Sequence, residues 1–355
     1  MNGKRLPLLI AAVLPMGAPG AARADTPPSV WEVAADPGAA RSWNLHVRVE
    51  RLLEDTPASG VGEGELRLEA ARAMLEDAGA SRSPDVRLRF DLGIVYEALD
   101  LHRRAVDVLG PALDAAPDHP AAVRALSALA YAYAKMGDAP RELEVWRKYI
   151  PRIVNDSARA TEMMNMGEAE MRLGRIEDAL DTFHEVLRLC GGLPNTGGAS
   201  STYVLTLWDV AVALDRSGDP RGALETAARA VAWNLRGRLP GGAGAGGGPL
   251  ATITGWNAIN DTRTVFFVPE WERDWYLALG CASQARNTDD PVEAARWLME
   301  AAAHRKRYVA GSLGAVGPDP WLAVAQRRAS EADAAAVAAL ARVSRPGIPA
   351  GRRKP

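Results

Sequence analysis

Apolar residues along this chain recur mostly three and four positions apart, the spacing of one face of a helix. Leu45, Val49, Leu52 and Leu53 form such a face in residues 43–54, and Leu66, Ala70, Ala73 and Met74 form another in 65–77. The pattern predicts a first helix pair joined by the glycine-rich stretch 57–64. From Ser83 and Pro84, a helix-start signal, a longer period is laid over the short one. Residues 86–117 read VRLRFDLGIVYEALDLHRRAVDVLGPALDAAP, with Gly93, Tyr96, Ala105, Leu109, Ala112 and Pro117 at the positions that matter. Gly93 and Ala105 are small where two helices would meet. Tyr96 and Leu109 are large enough to fill the space between them. Pro117 cannot continue a helix and ends the unit.

The same order returns three times. The second unit carries Ala130, Tyr133, the turn Gly137-Asp138 and Trp146, with Glu142 where a small residue is expected and Pro151 arriving early. The third has Gly167, the turn Gly174-Arg175, Ala179 and Phe183, and the fourth Ala211, Gly218-Asp219, Ala223, Ala227 and Ala230. The small-residue anchors 93, 130, 167 and 211 are 37, 37 and 44 apart, the last interval holding an extra loop at 191–200. A weaker pair follows, with Gly280 on 271–284 and Ala294 on 291–303, then two alanine-rich capping helices at 320–329 and 331–341.

This arrangement resembles the tetratricopeptide repeat, closely over roughly 86–235 and weakly over 271–303. The resemblance implies an all-α fold, a right-handed superhelical solenoid of antiparallel helix pairs interrupted by one irregular insertion. It also implies a concave groove, lined by the first helix of each pair, that takes a protein or peptide segment, and it implies no catalysis. Carried over position by position, the groove-facing residues are Arg87, Phe90, Ile94 and Glu97, then Arg124, Ser127, Tyr131 and Ala134. Thr161, Met164, Glu168 and Met171 follow, and then Leu205, Trp208, Val212 and Asp215. The binding set is centred on Arg87, Phe90, Ile94, Arg124, Tyr131, Met164, Met171 and Trp208. This lining suits an amphipathic helix or an extended apolar segment. Self-occupation of the face by the leader or by 249–270 is the competing reading.

The rest of the chain divides as signal peptide 1–24, flexible leader 25–42, repeats 43–235, insertion 236–270, C-terminal pair and capping helices 271–343, and disordered tail 344–355. Lys4 and Arg5, the apolar run Leu6–Leu14 and the small-residue site Ala22-Arg23-Ala24 have the three parts of a secretory signal in order. They predict cleavage before Asp25 and a periplasmic or secreted protein. The apolar run is too short to span a bilayer. The formal charge of −2 falls to −5 once Lys4, Arg5 and Arg23 of the signal peptide are removed, so there is no electrostatic footprint for nucleic acid.

Chemistry-bearing motifs are sparse. Gly242, Gly244 and Gly247 match a dinucleotide fingerprint formally, but no strand precedes them and no helix follows. That stretch reads as a linker, and 262–268 as a short β-prone segment. The five histidines show no metal-binding spacing, and no nucleophile-turn motif is present, so neither cofactor nor metal is expected. Cys190 and Cys281 are read as buried free thiols, with a disulfide as the alternative. The run His304-Arg-Lys-Arg307 is read as a helix C-terminus, or else as a contact for an anionic partner. Trp256, Phe266, Phe267, Trp271, Trp275 and Tyr276 are read as a plug packed on the repeats, or else as a glycan platform. Three functions remain in view: an interaction scaffold of the cell envelope, a structural subunit of an envelope complex, and a glycan binder or enzyme working through those aromatics.

Overall fold

The computed structural model describes residues 27–55, 61–192, 197–233, 255–260, 267–315 and 317–344. The expected signal peptide, the glycine-rich run 241–248, most of the expected β-prone segment and nearly all of the expected tail lie outside these residues. Among the described residues there is no strand, and the elements are helices in antiparallel pairs. The chain divides into two compact units, 1–154 and 155–355.

The first unit begins with α1 (Val30–Ala35), α2 (Pro37–Asp55) and α3 (Val61–Asp77). The leader expected to be flexible over 25–42 is therefore largely helical, because its alanines favour helix and Pro37 sits at a helix start where it is tolerated. Two pairs follow: α4 (Val86–Ala98) with α5 (His102–Ala115), and α6 (Ala122–Lys135) with α7 (Ala139–Tyr149). Asp85, not Ser83, caps α4, accepting from the Arg87 backbone N–H at 3.1 Å. Gly93 does what its size predicts, since a Cβ there would overlap the Leu109 side chain. Glu142, in place of the expected small residue, is buried and accepts a hydrogen bond from Trp146 Nε1 at 3.2 Å. Pro151 falls in a 3₁₀ turn, Ile150–Arg152, that closes the pair.

The second unit holds α8 (Asp156–Arg172) with α9 (Ile176–Gly192), and α10 (Gly197–Ser217) with α11 (Pro220–Ala232). It continues with the short α12 (Gly255–Asn260), then α13 (Arg273–Asn287), α14 (Pro291–Gly314) and α15 (Leu322–Val343). The two capping helices expected at 320–329 and 331–341 are one helix, for nothing in the alanine-rich sequence between them breaks it. Gly167 admits the Phe183 ring as Gly93 admits Leu109. Ala105, Leu109, Ala179, Phe183, Ala223 and Ala227 are all fully buried at these seams. Each large apolar side chain among them contributes about 1.5–3 kcal/mol. Gly280 differs, because the space it leaves is taken by Trp256 and Trp208 rather than by α14.

One backbone detail repeats with the period. Leu101, Asp138, Arg175 and Asp219 donate their N–H to the carbonyls of Tyr96, Tyr133, Glu170 and Leu214, at 2.8, 2.9, 2.9 and 2.9 Å. This is the bond that closes a helix through a left-handed residue. The left-handed residues are Asp100, Gly137, Gly174 and Gly218. They keep the register of the small anchors. Asp138 and Asp219 then cap the following helices, accepting from the N–H groups of Arg141 and Gly222.

Candidate functional site

In the first unit, α2 packs against α4 and reaches α6 through one ion pair. His46 Nδ1 and Asp91 Oδ2 are 2.7 Å apart and buried. Glu50, one turn along α2, pairs with Arg124 at 2.5 Å. Arg87 is held by Asp85, with Nη2 at 2.8 Å, and its guanidinium lies over the Trp43 ring at 5.1 Å. Phe90 is buried edge-on against the His119 ring, Ile94 is buried, and Tyr131 meets Trp146 edge-on. Burial raises the Asp91 carboxyl to about 6, against the lowering effect of the His46 bond. Glu97, on the same helix face as Ile94, is raised to about 7 by burial and by the neighbouring Asp100 carboxylate.

The second unit covers its face with α12, α13, α14 and α15. Trp208 is completely buried and donates its indole N–H to the Gly255 carbonyl at 2.9 Å. Gly255 is pressed so closely on α11 that a Cβ would strike the Ala230 carbonyl. Trp321 donates to the Met171 carbonyl at 2.8 Å, and Met171 is buried beneath it. Met164 is buried with Ala160, Val186 and Cys190.

Behind Trp208 lies a buried charged cluster. Asp215 Oδ2 accepts from Trp275 Nε1 at 2.9 Å and from Arg305 Nη2 at 2.7 Å, and Arg328 Nε is 2.7 Å from Oδ1. Arg216 Nη2 reaches Glu272 at 2.5 Å and Tyr308 at 3.2 Å, and Tyr308 also donates to Asp319 at 3.1 Å. The Arg216 and Arg305 guanidiniums lie 4.5 and 4.9 Å from the Trp275 ring centre. Burial opposes the Arg216 charge, yet the Glu272 carboxylate holds its pKa above the ordinary value. For Arg305 burial prevails over Asp215, and the pKa falls.

These positions revise several expectations. The eight groove residues are divided between two units: Arg87, Phe90, Ile94, Arg124 and Tyr131 in the first, Met164, Met171 and Trp208 in the second. Phe90, Ile94, Met164, Met171 and Trp208 are buried rather than open. Arg87, Arg124 and Tyr131 are half-buried and engaged by the chain's own side chains. The basic run His304–Arg307 is not at a helix end, since α14 continues to Gly314. Arg305 turns in to Asp215, His304 and Arg307 meet Asp274 at 2.5 and 3.0 Å, and Lys306 meets Asp333 at 2.8 Å. Of the aromatic cluster, Trp275 and Tyr276 are buried, and Trp256, Phe267 and Trp271 are half-buried against the same core, the arrangement of a plug; Phe266 lies outside the described residues. Cys190 and Cys281 are free and buried, and burial raises their thiols to about 11 and about 12.

The residues that sequence reasoning passed over are His46, Glu50, Asp91, Asp215 in its charged role, Arg216 and Arg328. The available signal was a charge on an inward position, as in Phe90-Asp91-Leu92 and Leu214-Asp215-Arg216.

No family model and no curated protein matches the chain. Solved structures similar to it include two that span half of the chain or more. One is MamA MSR-1 C2, at 21% identity over 51% of this chain and 91% of that one, with a TM-score of 0.37. The other is the apo form of the quorum sensor NprR from B. thuringiensis, at 12% identity over 87% and 84%, with a TM-score of 0.43. At that distance the fold rests on the helix pairs themselves, which are tetratricopeptide-like in their seams, turns and period.

Proposed function

We propose that this chain is a non-catalytic scaffold that binds a protein segment on the face of its second unit, exchanging it for α12. The observation that carries the reading is the seat of α12. A short helix presents Trp256 into the space left by Gly280, buries Ile259, and gives its Gly255 carbonyl to Trp208. That is how an apolar helical segment is held in a groove, performed here by the chain on itself. The six residues of α12 make it a small occupant, one that a longer amphipathic helix with an aromatic anchor can replace.

The N-terminal sequence pattern supports placing this scaffold in the cell envelope. Lys4, Arg5, Leu6–Leu14 and Ala22-Arg23-Ala24 are arranged as a cleavable secretory signal. No described helix is long and apolar enough to cross a membrane. The partner is therefore sought among envelope proteins.

The test uses the full chain with residues 249–260 replaced by a Gly/Ser stretch of equal length. A synthetic peptide of the 250–262 sequence, added in trans, should bind one to one by isothermal titration calorimetry. A further Trp208→Ala change should abolish that binding. If the peptide fails to bind a variant that remains folded, this face is ordinary core and the proposal is wrong.

A further inference from the structure

We propose that His46, Glu50 and Asp91 form a binding site for a divalent transition-metal ion of the zinc class, which fastens α2 to α4. His46 and Glu50 are four residues apart on α2 and so share one face, while Asp91 comes from the middle of α4. One ligand atom from each lies within 4.8 Å of the others. Zinc–nitrogen and zinc–oxygen bonds of about 2.0–2.2 Å in tetrahedral geometry set ligand atoms about 3.4 Å apart, so movements of about 1 Å or less close the set.

Two further observations point the same way. Glu50 Oε1 is buried and has no hydrogen-bond partner, although Oε2 of the same carboxylate is paired with Arg124 at 2.5 Å. Arg124 thus holds the carboxylate by one oxygen and leaves the other without a partner, which is how an outer partner orients a metal ligand. The setting is also acidic. With His46 as a neutral imidazole ligand, the Glu50 and Asp91 carboxylates exceed the Arg124 guanidinium by one negative charge, at a site where His46 and Asp91 are 5% and 3% exposed and Glu50 is half-buried. One imidazole and two carboxylates suit zinc or cobalt better than calcium, which prefers six or more oxygens. Water fills the fourth position in the usual three-ligand arrangement. The chemistry assigned is binding and fastening, not catalysis.

The experiment takes the untagged full chain, freed of metal by chelator and dialysis, and titrates it with Co²⁺ and then Zn²⁺. The expected result is a one-to-one visible Co²⁺ absorption without a thiolate charge-transfer band, lost on adding Zn²⁺, with a rise in Tm and slower amide exchange across 37–55. Glu50→Gln leaves the His46–Asp91 contact in place and keeps the metal-free Tm, yet should lose both the absorption and the Tm rise. Asp91→Asn should lose them as well. Arg124→Met, which frees Glu50 from its orienting partner, should weaken binding by about 10–100-fold. No Co²⁺ absorption in the wild-type chain, an unchanged absorption in Glu50→Gln, or a thiolate band marking Cys190 or Cys281 would each overturn the assignment.

Discussion

Trp208 and Gly255, 47 residues apart in sequence, are joined by an indole N–H···O=C bond of 2.9 Å with both partners buried. Trp208→Phe keeps most of the ring volume but leaves the Gly255 carbonyl without its donor. The expected loss is about 1–3 kcal/mol. Trp208→Ala empties the site and should cost about 3–5 kcal/mol. Urea denaturation of the full chain distinguishes the two, and equal losses would show that the packing of the ring adds nothing beyond the hydrogen bond.

Asp100 holds a left-handed backbone position, φ 58°, where Gly137, Gly174 and Gly218 stand in the later repeats. It also adds to the raised pKa of Glu97. Asp100→Gly removes the strain of a Cβ in that region and the adjacent like charge, so the chain should gain about 0.5–1 kcal/mol at pH 7. Thermal melting measures it, and a lowered Tm would mean that the Asp100 side chain, which faces His102 at 3.5 Å, matters more than its backbone.

Glu97 sets a pH dependence. Its carboxyl is raised from 4.5 to about 7, first by burial and then by Asp100. The native chain therefore binds this proton more tightly than the unfolded chain. The group's contribution is fully present below about pH 4.5 and is lost as pH rises through about 7. Glu97→Gln should change little at pH 4.5 and stabilise by about 3 kcal/mol at pH 8, where the wild-type carboxylate is charged and buried. Denaturation midpoints at pH 4.5, 6 and 8 give the slope, and parallel slopes for the two proteins would refute it.

Asp215 stands between Arg305 and Arg328 with its side chain almost fully buried. Asp215→Asn keeps the shape but leaves two guanidiniums facing each other, and should cost about 3–5 kcal/mol. Adding Arg305→Met should recover part of that loss, since the double variant removes the uncompensated charge as well. A double-mutant cycle should show coupling of about 0.5–3 kcal/mol, and strict additivity would show that the pair is energetically unconnected.

What was legible in the sequence is local. Gly93 and Leu109 lie one helix and one turn apart, so their complementary sizes, repeated at Gly167 and Phe183, specify the seam. Two turns were legible for the same reason, because Gly137-Asp138 and Gly218-Asp219, a glycine followed by a capping aspartate, sit between periodic runs. What covers the repeats was not legible. His46 meets Asp91 across 45 residues, and Arg305 meets Asp215 across 90. No spacing rule connects such pairs, because any inward-facing carboxylate of similar reach satisfies an arginine equally well. The resemblance assigned one face of each first helix to a partner, but sequence alone does not say whether that partner is another molecule or the next part of the same chain.

Because α12 belongs to the polypeptide whose face it covers, neither dilution nor excess protein alters its occupancy. An outside ligand meets only the fraction of molecules in which the face is bare, and its apparent dissociation constant is the intrinsic one divided by that fraction. A ligand that looks weak against the intact chain can thus be a tight one seen through a mostly shut door. Mutations that unseat Gly255 from the Ala230 carbonyl would then sharpen apparent affinity without touching a single contact to that ligand.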